Sequence, residues 1–212
     1  MNSLLGRLGT WAPAAAIVGG LLWILYAILA LLQPLGTVNL FISDTGQLSA
    51  TNPGAFRIAA LTGGLALILL GAALIGTIQR YELRGAPAAQ FGTGVPSRFG
   101  GILAWAGVAA GVLVSLGGLV LQVPLATLAQ LLGAVFVPFA ASLVAIEANG
   151  SETAYPIAAP MFIVGALGMA AVLAQAMVAL YAWMLPVYGA LVLAIYGFVW
   201  VRVGGLMQRH EQ

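Results

Sequence analysis

The chain contains no cysteine and no lysine, and its single histidine is His210, close to the C-terminal end. Each gap removes a class of chemistry. Without cysteine there are no disulfides, thiolate metal sites or cysteine nucleophiles, and the redox compartment is unreadable. Without lysine there is no Schiff base. A lone histidine beside the terminus cannot build a His-based triad or a metal cluster, and it leaves no usual axial ligand for a haem. No cofactor and no metal are expected. Charge is scarce as well: 6% of the residues are charged, where a soluble domain carries roughly 25%. The seven basic residues are all arginine and lie scattered, so no nucleic-acid footprint is expected. The motifs GxxxxGK[ST], GxGxxG and HExxH are all missing. The acids Asp44, Glu82, Glu147, Glu152 and Glu211 form no catalytic pair, and none falls in the middle of an apolar run. An enzyme and a proton-coupled pump are both disfavoured.

What remains is apolar. Hydrophobic residues make up 62% of the chain and the mean hydropathy is +1.08. So few polar groups cannot cover a surface in water, so the solvent of this fold is lipid. The sequence predicts an all-α polytopic membrane protein: one domain over 1–212, a six-helix transmembrane bundle. A spanning helix takes about 20 apolar residues. The predicted spans are about 12–32, 56–78, 99–121, 125–146, 159–183 and 187–204. Two boundaries follow from length. The run from Gly100 to Ile146 would reach roughly 70 Å as one helix, against a hydrocarbon core of about 30 Å. It must fold back, and "LQVPLA" supplies the break, because Pro124 suits the first turn of a new helix. Length also splits 159–204, at "YAWMLPVYG", where Tyr181, Trp183 and Tyr188 surround Pro186 as interfacial aromatics do. The last four helices thus form two tight hairpins. Pro138 should kink the fourth.

The arginines orient the chain. Arg7, Arg80, Arg84, Arg98, Arg202 and Arg209 fall on one side of the predicted spans, and only Arg57 on the other. Under the positive-inside rule both termini are cytoplasmic and the 33–55 loop is outside. A loop over 147–158 without arginine also falls inside.

Polar side chains within the spans cluster by depth. Thr62, Ser115, Gln122, Thr127, Gln130 and Gln175 all fall toward the side of the 33–55 loop. That loop, "NLFISDTGQLSATNPGAFR", adds Asp44, with Arg57 just beyond it. In it "LFIS" is apolar enough to dip into the interface, and "TNPGAF" reads as a turn into the second helix. A side-chain amide in hydrocarbon is costly unless paired. Asp44, Arg57, Thr62, Ser115, Gln122, Gln130 and Gln175 are therefore the candidate ligand-binding residues, set against a plainer role as bonds between helices under a lid. In the third span Ala104, Gly107, Gly111, Ser115 and Gly118 form a stripe of small residues, with a GxxxG at Gly107 and Gly111. Such stripes let helices approach closely, inside the bundle or against a second copy or membrane partner. Leu at Gly111 should disrupt that packing, while Leu at Val108, off the stripe, should be tolerated.

The opening "WAPAAAIVGGLLWILYAILA", the stretch from "ISDTG" through "NPGAFRIAALTGGLALILLGAAL" and the late "WMLPVYG" together resemble a bacterial six-helix membrane family catalogued as a domain of unknown function. The resemblance implies the helix count and a bacterial inner membrane, and carries no activity. The expected function is non-enzymatic: binding a lipid or other apolar molecule, or service as an accessory subunit of a membrane assembly. The alternative is a small transporter or channel for a neutral or amphipathic solute.

Overall fold

Five of the six helices carry a proline at their first or second residue: Pro53, Pro96, Pro124, Pro156 and Pro186. Proline is at home there, because its missing N–H falls where a helix has unused donors anyway. In chain order the elements are α1 (Asn2–Leu32), β1 (Leu40–Ile42), β2 (Leu48–Ala50), α2 (Pro53–Leu83), α3 (Val95–Leu119), α4 (Val123–Asn149), α5 (Tyr155–Val178) and α6 (Leu185–Arg209). The computed structural model describes residues 2–32, 40–42, 48–50, 52–83, 95–178 and 185–209, with side chains for 7–29, 52–81, 96–170, 172 and 191–209. The fold is a helical membrane bundle. Five helices are long and apolar enough to cross a membrane, and the corresponding stretch of α5, Tyr155–Ala170, is shorter.

The ends of the helices are closed by local chemistry. Asn52 caps α2: its Oδ1 accepts from the Ala55 N–H at 3.1 Å, and its carbonyl accepts from Phe56 at 3.0 Å. The α3–α4 turn is three residues long. The Gln122 N–H donates to Gly117 at 2.8 Å and Leu121 to Gly118 at 3.3 Å, with Leu121 left-handed at φ 58°. This is the Schellman pattern, which satisfies the last carbonyls of a helix. The fold-back expected near Pro124 therefore has a defined mechanism. The first loop holds what the sequence reading missed. Its "LFI" does not simply dip into the interface; it pairs antiparallel with Leu48–Ala50, Phe41 opposite Ser49, and the second strand approaches α4.

One cap crosses between helices. Glu147, in the last turn of α4, accepts the Ser97 N–H through Oε2 at 2.8 Å. Ser97 lies in the first turn of α3, where backbone donors have no helical partner and negative charge is favoured. Glu147→Ala should cost about 1–2 kcal/mol, and Glu147→Gln, which keeps an acceptor oxygen, should cost less. Thermal unfolding in detergent measures both. Equal losses would mean that the carboxylate acts through charge alone.

The helices close into a ring. Each packs on the next in sequence, and α6 packs back on α1. Inside the ring α2 also touches α4. As a result 67% of the apolar window of α2 is buried, against 39–44% for the other four long spans. Close crossings hold the ring at glycines. Gly64 of α2 and Gly111 of α3 meet so tightly that a Cβ on either would lie 2.6–2.7 Å from the other's carbonyl oxygen. Gly20 of α1 and Gly197 of α6 repeat this at 2.5 Å.

The small stripe of α3 serves this packing, and two details differ from the sequence reading. A Cβ at Gly107 would meet Val137 of α4, while Gly111, Ser115 and Gly118 meet α2, so the GxxxG pair faces two neighbours rather than one. Val108 is half-buried and lies against Gly71 of α2. It is not the neutral control that its place off the stripe suggested; Ala109, exposed on the same helix, is. The expected kink at Pro138 does not end α4, whose helix runs through it. Its ring is received by Gly168 of α5, where a Cβ would lie 2.6 Å from the proline Cβ.

Candidate functional site

The polar residues predicted to line a site separate into three groups. Arg57, near the start of α2, and Gln122, in the α3–α4 turn, are exposed, and Gln122 contributes its backbone rather than a side-chain cap. Asp44 and the side chain of Gln175 lie outside the described residues, so the Asp44–Arg57 juxtaposition does too. Thr62, Ser115 and Gln130 converge on one place.

That place is the Gly63–Gly64 step of α2. Thr62 precedes it and is buried, its hydroxyl donating to the Ile58 carbonyl at 2.8 Å. Ser115 arrives from α3 against Gly64, its hydroxyl donating to the Gly111 carbonyl at 3.0 Å. Gln130 arrives from α4. Its amide lies over Gly63, where a Cβ would stand 3.0 Å from Oε1 and 3.2 Å from Nε2. The two hydroxyls are each satisfied by their own helix, as Ser and Thr in apolar helices commonly are. Their role is to fill the close crossing without leaving a free donor. The Gln130 side chain is different: besides lying over Gly63, it lines a second space.

It reaches a small cavity. Between α1, α4, α5 and α6 lies a space of about 20 Å³, lined among others by Trp23, Gln130, Ala134, Pro138, Gly168 and Tyr196. A volume of that order takes one water-sized group. Its walls are mostly apolar, and the aromatic part is ordered. Trp23 stands edge-to-face with Tyr26 at 5.2 Å between ring centroids and with Tyr196 at 5.8 Å, and Tyr196 with Trp200 at 6.4 Å. These distances suit the quadrupoles of aromatic rings. Trp23 and Trp200 are buried, and the Trp23 indole N–H has no hydrogen-bond partner among the described residues.

Trp23, Tyr196 and Trp200 were not singled out from the sequence. A signal was present. Trp and Tyr in membrane helices favour the two interfaces, whereas Trp23 and Tyr196 lie well inside their helices. The pairs Trp23/Tyr26 and Tyr196/Trp200 also recur at helical spacing.

A second polar group lies at the other end of the bundle. Thr77 donates to Ala73 at 2.7 Å and approaches the Met207 sulfur at 3.4 Å, and Arg80 donates from Nη2 to the Met207 carbonyl at 3.0 Å. Between Thr62 and Thr77, a rise of roughly 22 Å, α2 buries Ala66, Leu67, Leu70, Ala73 and Leu74, all 0% exposed. Among the described residues no group of three or more His, Asp or Glu comes together. Comparison with protein-family models, curated proteins and solved structures finds no match to this chain.

Proposed function

We propose that this chain is a non-enzymatic membrane protein that binds a lipid or other amphiphile of low polarity between α1, α4, α5 and α6. The observation that carries the reading is Gln130, half-buried in an apolar helix and lining the same cavity as Trp23, whose buried indole N–H has no partner among the described residues. Uncompensated polar groups in such surroundings cost a few kcal/mol, of order 1–3 from mutational data. A ligand with one polar group and an apolar body recovers that cost. The dry segment of α2 between Thr62 and Thr77 favours binding over transport, because it separates the two polar ends. The bacterial family resemblance and the arginine distribution support a plasma-membrane location with both termini cytoplasmic. Use of the α3 stripe inside the bundle leaves any partner subunit to a different face.

Two measurements test this. Mass spectrometry of the gently purified protein is expected to find a retained amphiphile. Gln130→Leu should reduce its retention several-fold, and Gln122→Leu, in the exposed turn, should not. Unchanged retention in Gln130→Leu would reduce the glutamine to a bond between helices. For orientation, single cysteines at Ser49 and Thr93 make a clean pair in a chain without cysteine. An impermeant thiol reagent on intact cells should label position 49 and spare 93. The reverse pattern would overturn the assignment of sides.

A further inference from the structure

Trp23 is 3% exposed, and its indole N–H finds no acceptor among the described residues. A buried donor in that state loses the full cost of its desolvation. The ring cannot swing freely to find a partner, since Tyr26 and Tyr196 both pack against it with ring planes nearly perpendicular to its own. Across the cavity, α4 carries the complementary defect. Pro138 has no N–H, so the carbonyl of Ala134, four residues earlier, has lost its helical donor. Trp23, Ala134 and Pro138 border the same space, together with the Gln130 amide. A donor without an acceptor among the described residues and a carbonyl without its helical donor thus belong to residues that line one volume suited to one oxygen atom.

We propose that this cavity is a hydroxyl site: one O–H oxygen accepts from Trp23 Nε1 and donates to the Ala134 carbonyl, with the Gln130 amide as third partner. A hydroxyl is the small group that does both. A ketone oxygen has no proton to give, an ammonium has no lone pair, and a carboxylate would bring a charge into the span at high cost. Gly168 fits the same design, because its lack of a side chain lets α5 close directly over the proline ring. The hydroxyl belongs to water or to a neutral lipid alcohol. The site itself does not rest on the amphiphile reading above; only the second source does.

The test uses the full chain with 15N-labelled indoles, in nanodiscs of phosphatidylcholine with and without diacylglycerol, a neutral lipid with one free hydroxyl. Trp23→Phe identifies the Trp23 resonance among the five tryptophans. The expected result is a cross-peak from its indole proton to a bound hydroxyl or water. In Pro138→Ala, residue 138 regains an N–H for the Ala134 carbonyl, and the cross-peak should be lost. A cross-peak of full strength in that variant overturns the bridge to Ala134. An indole proton without any hydroxyl cross-peak in either membrane, lying on a tyrosine face instead, overturns the site. Should Pro138→Ala fail to fold, the wild-type spectrum alone decides. If diacylglycerol replaces the water contact with one to its own protons, site and amphiphile reading both stand. If the water contact persists unchanged, the hydroxyl site stands with water in it, and lipid-alcohol binding there is removed.

Discussion

Replacing Gly197 by leucine is expected to lower the unfolding temperature of the bundle more than any other single change considered for this chain. A Cβ at Gly197 would stand 2.5 Å from the Gly20 carbonyl oxygen, 2.9 Å from Ile24 Cγ1 and 3.1 Å from the Ile24 nitrogen. Two of these atoms are backbone and cannot rotate away. The substitution must therefore push α6 off α1 and pull Tyr196, its neighbour in sequence, away from Trp23. Overpacking costs about 1–3 kcal/mol and sometimes more; with backbone as the obstacle, the upper end is expected. Gly205 supplies the control. It lies in the same helix, and a Cβ there meets nothing within 4 Å. Gly205→Leu should stay within about 0.5 kcal/mol of wild type or gain slightly, since leucine is the better helix former. Thermal unfolding followed by circular dichroism in one detergent compares the two. Equal losses would show that the Gly20–Gly197 crossing does not hold the ring.

The second large effect is expected at Arg80. This arginine is 5% exposed, on α2, and donates to the Met207 carbonyl at 3.0 Å. Met207 lies in the last turn of α6, where carbonyls lack helical donors and a cation is favoured. Arg80 thus closes a helix other than its own. A hydrogen bond from a charged donor contributes about 1.5–3 kcal/mol, so Arg80→Met should cost about that much. Arg80→Lys keeps the charge but loses the planar fork, and should fall between. A methionine variant as stable as wild type would mean that desolvating the guanidinium offsets all that its bonds contribute.

Helix count was legible because length is a hard constraint. A run from Gly100 to Ile146 cannot cross the hydrocarbon once, and the chain turns at Val120–Gln122, beside the proline that suggested it. Which face of each helix turns inward was much less legible. In water a polar face would mark the outside. In lipid both faces are apolar: α1 buries Ala12, Ala16, Trp23 and Ala27 and exposes Leu21, Leu25 and Ile28. The surviving contrast is size, small inside and branched outside, and it blurs where neighbours alternate. That is why Val108 reads as neutral in the sequence although it fills the gap at Gly71. Gln130 stood out in the sequence because an amide in a span is costly. Trp23 did not, because its one polar atom is carried on a large apolar ring and its partner position, Tyr196, is remote in sequence. The three-residue strands of the first loop are too short to carry a readable alternation.

The closure of α1 against α6 sets an order of assembly. A chain is made from its N-terminus, so α1 leaves the ribosome before the other helices of the ring, and α6, which covers its second face, leaves after them. Helices α2 to α5 can each pack on the helix made just before them. Throughout that time the Gly20 side of α1, and Trp23 with it, lacks the cover that Gly197 and Tyr196 of α6 supply. The nascent bundle is thus a ring with one open seam until α6 arrives. Anything that delays the last helix prolongs the interval in which that seam is open to another chain.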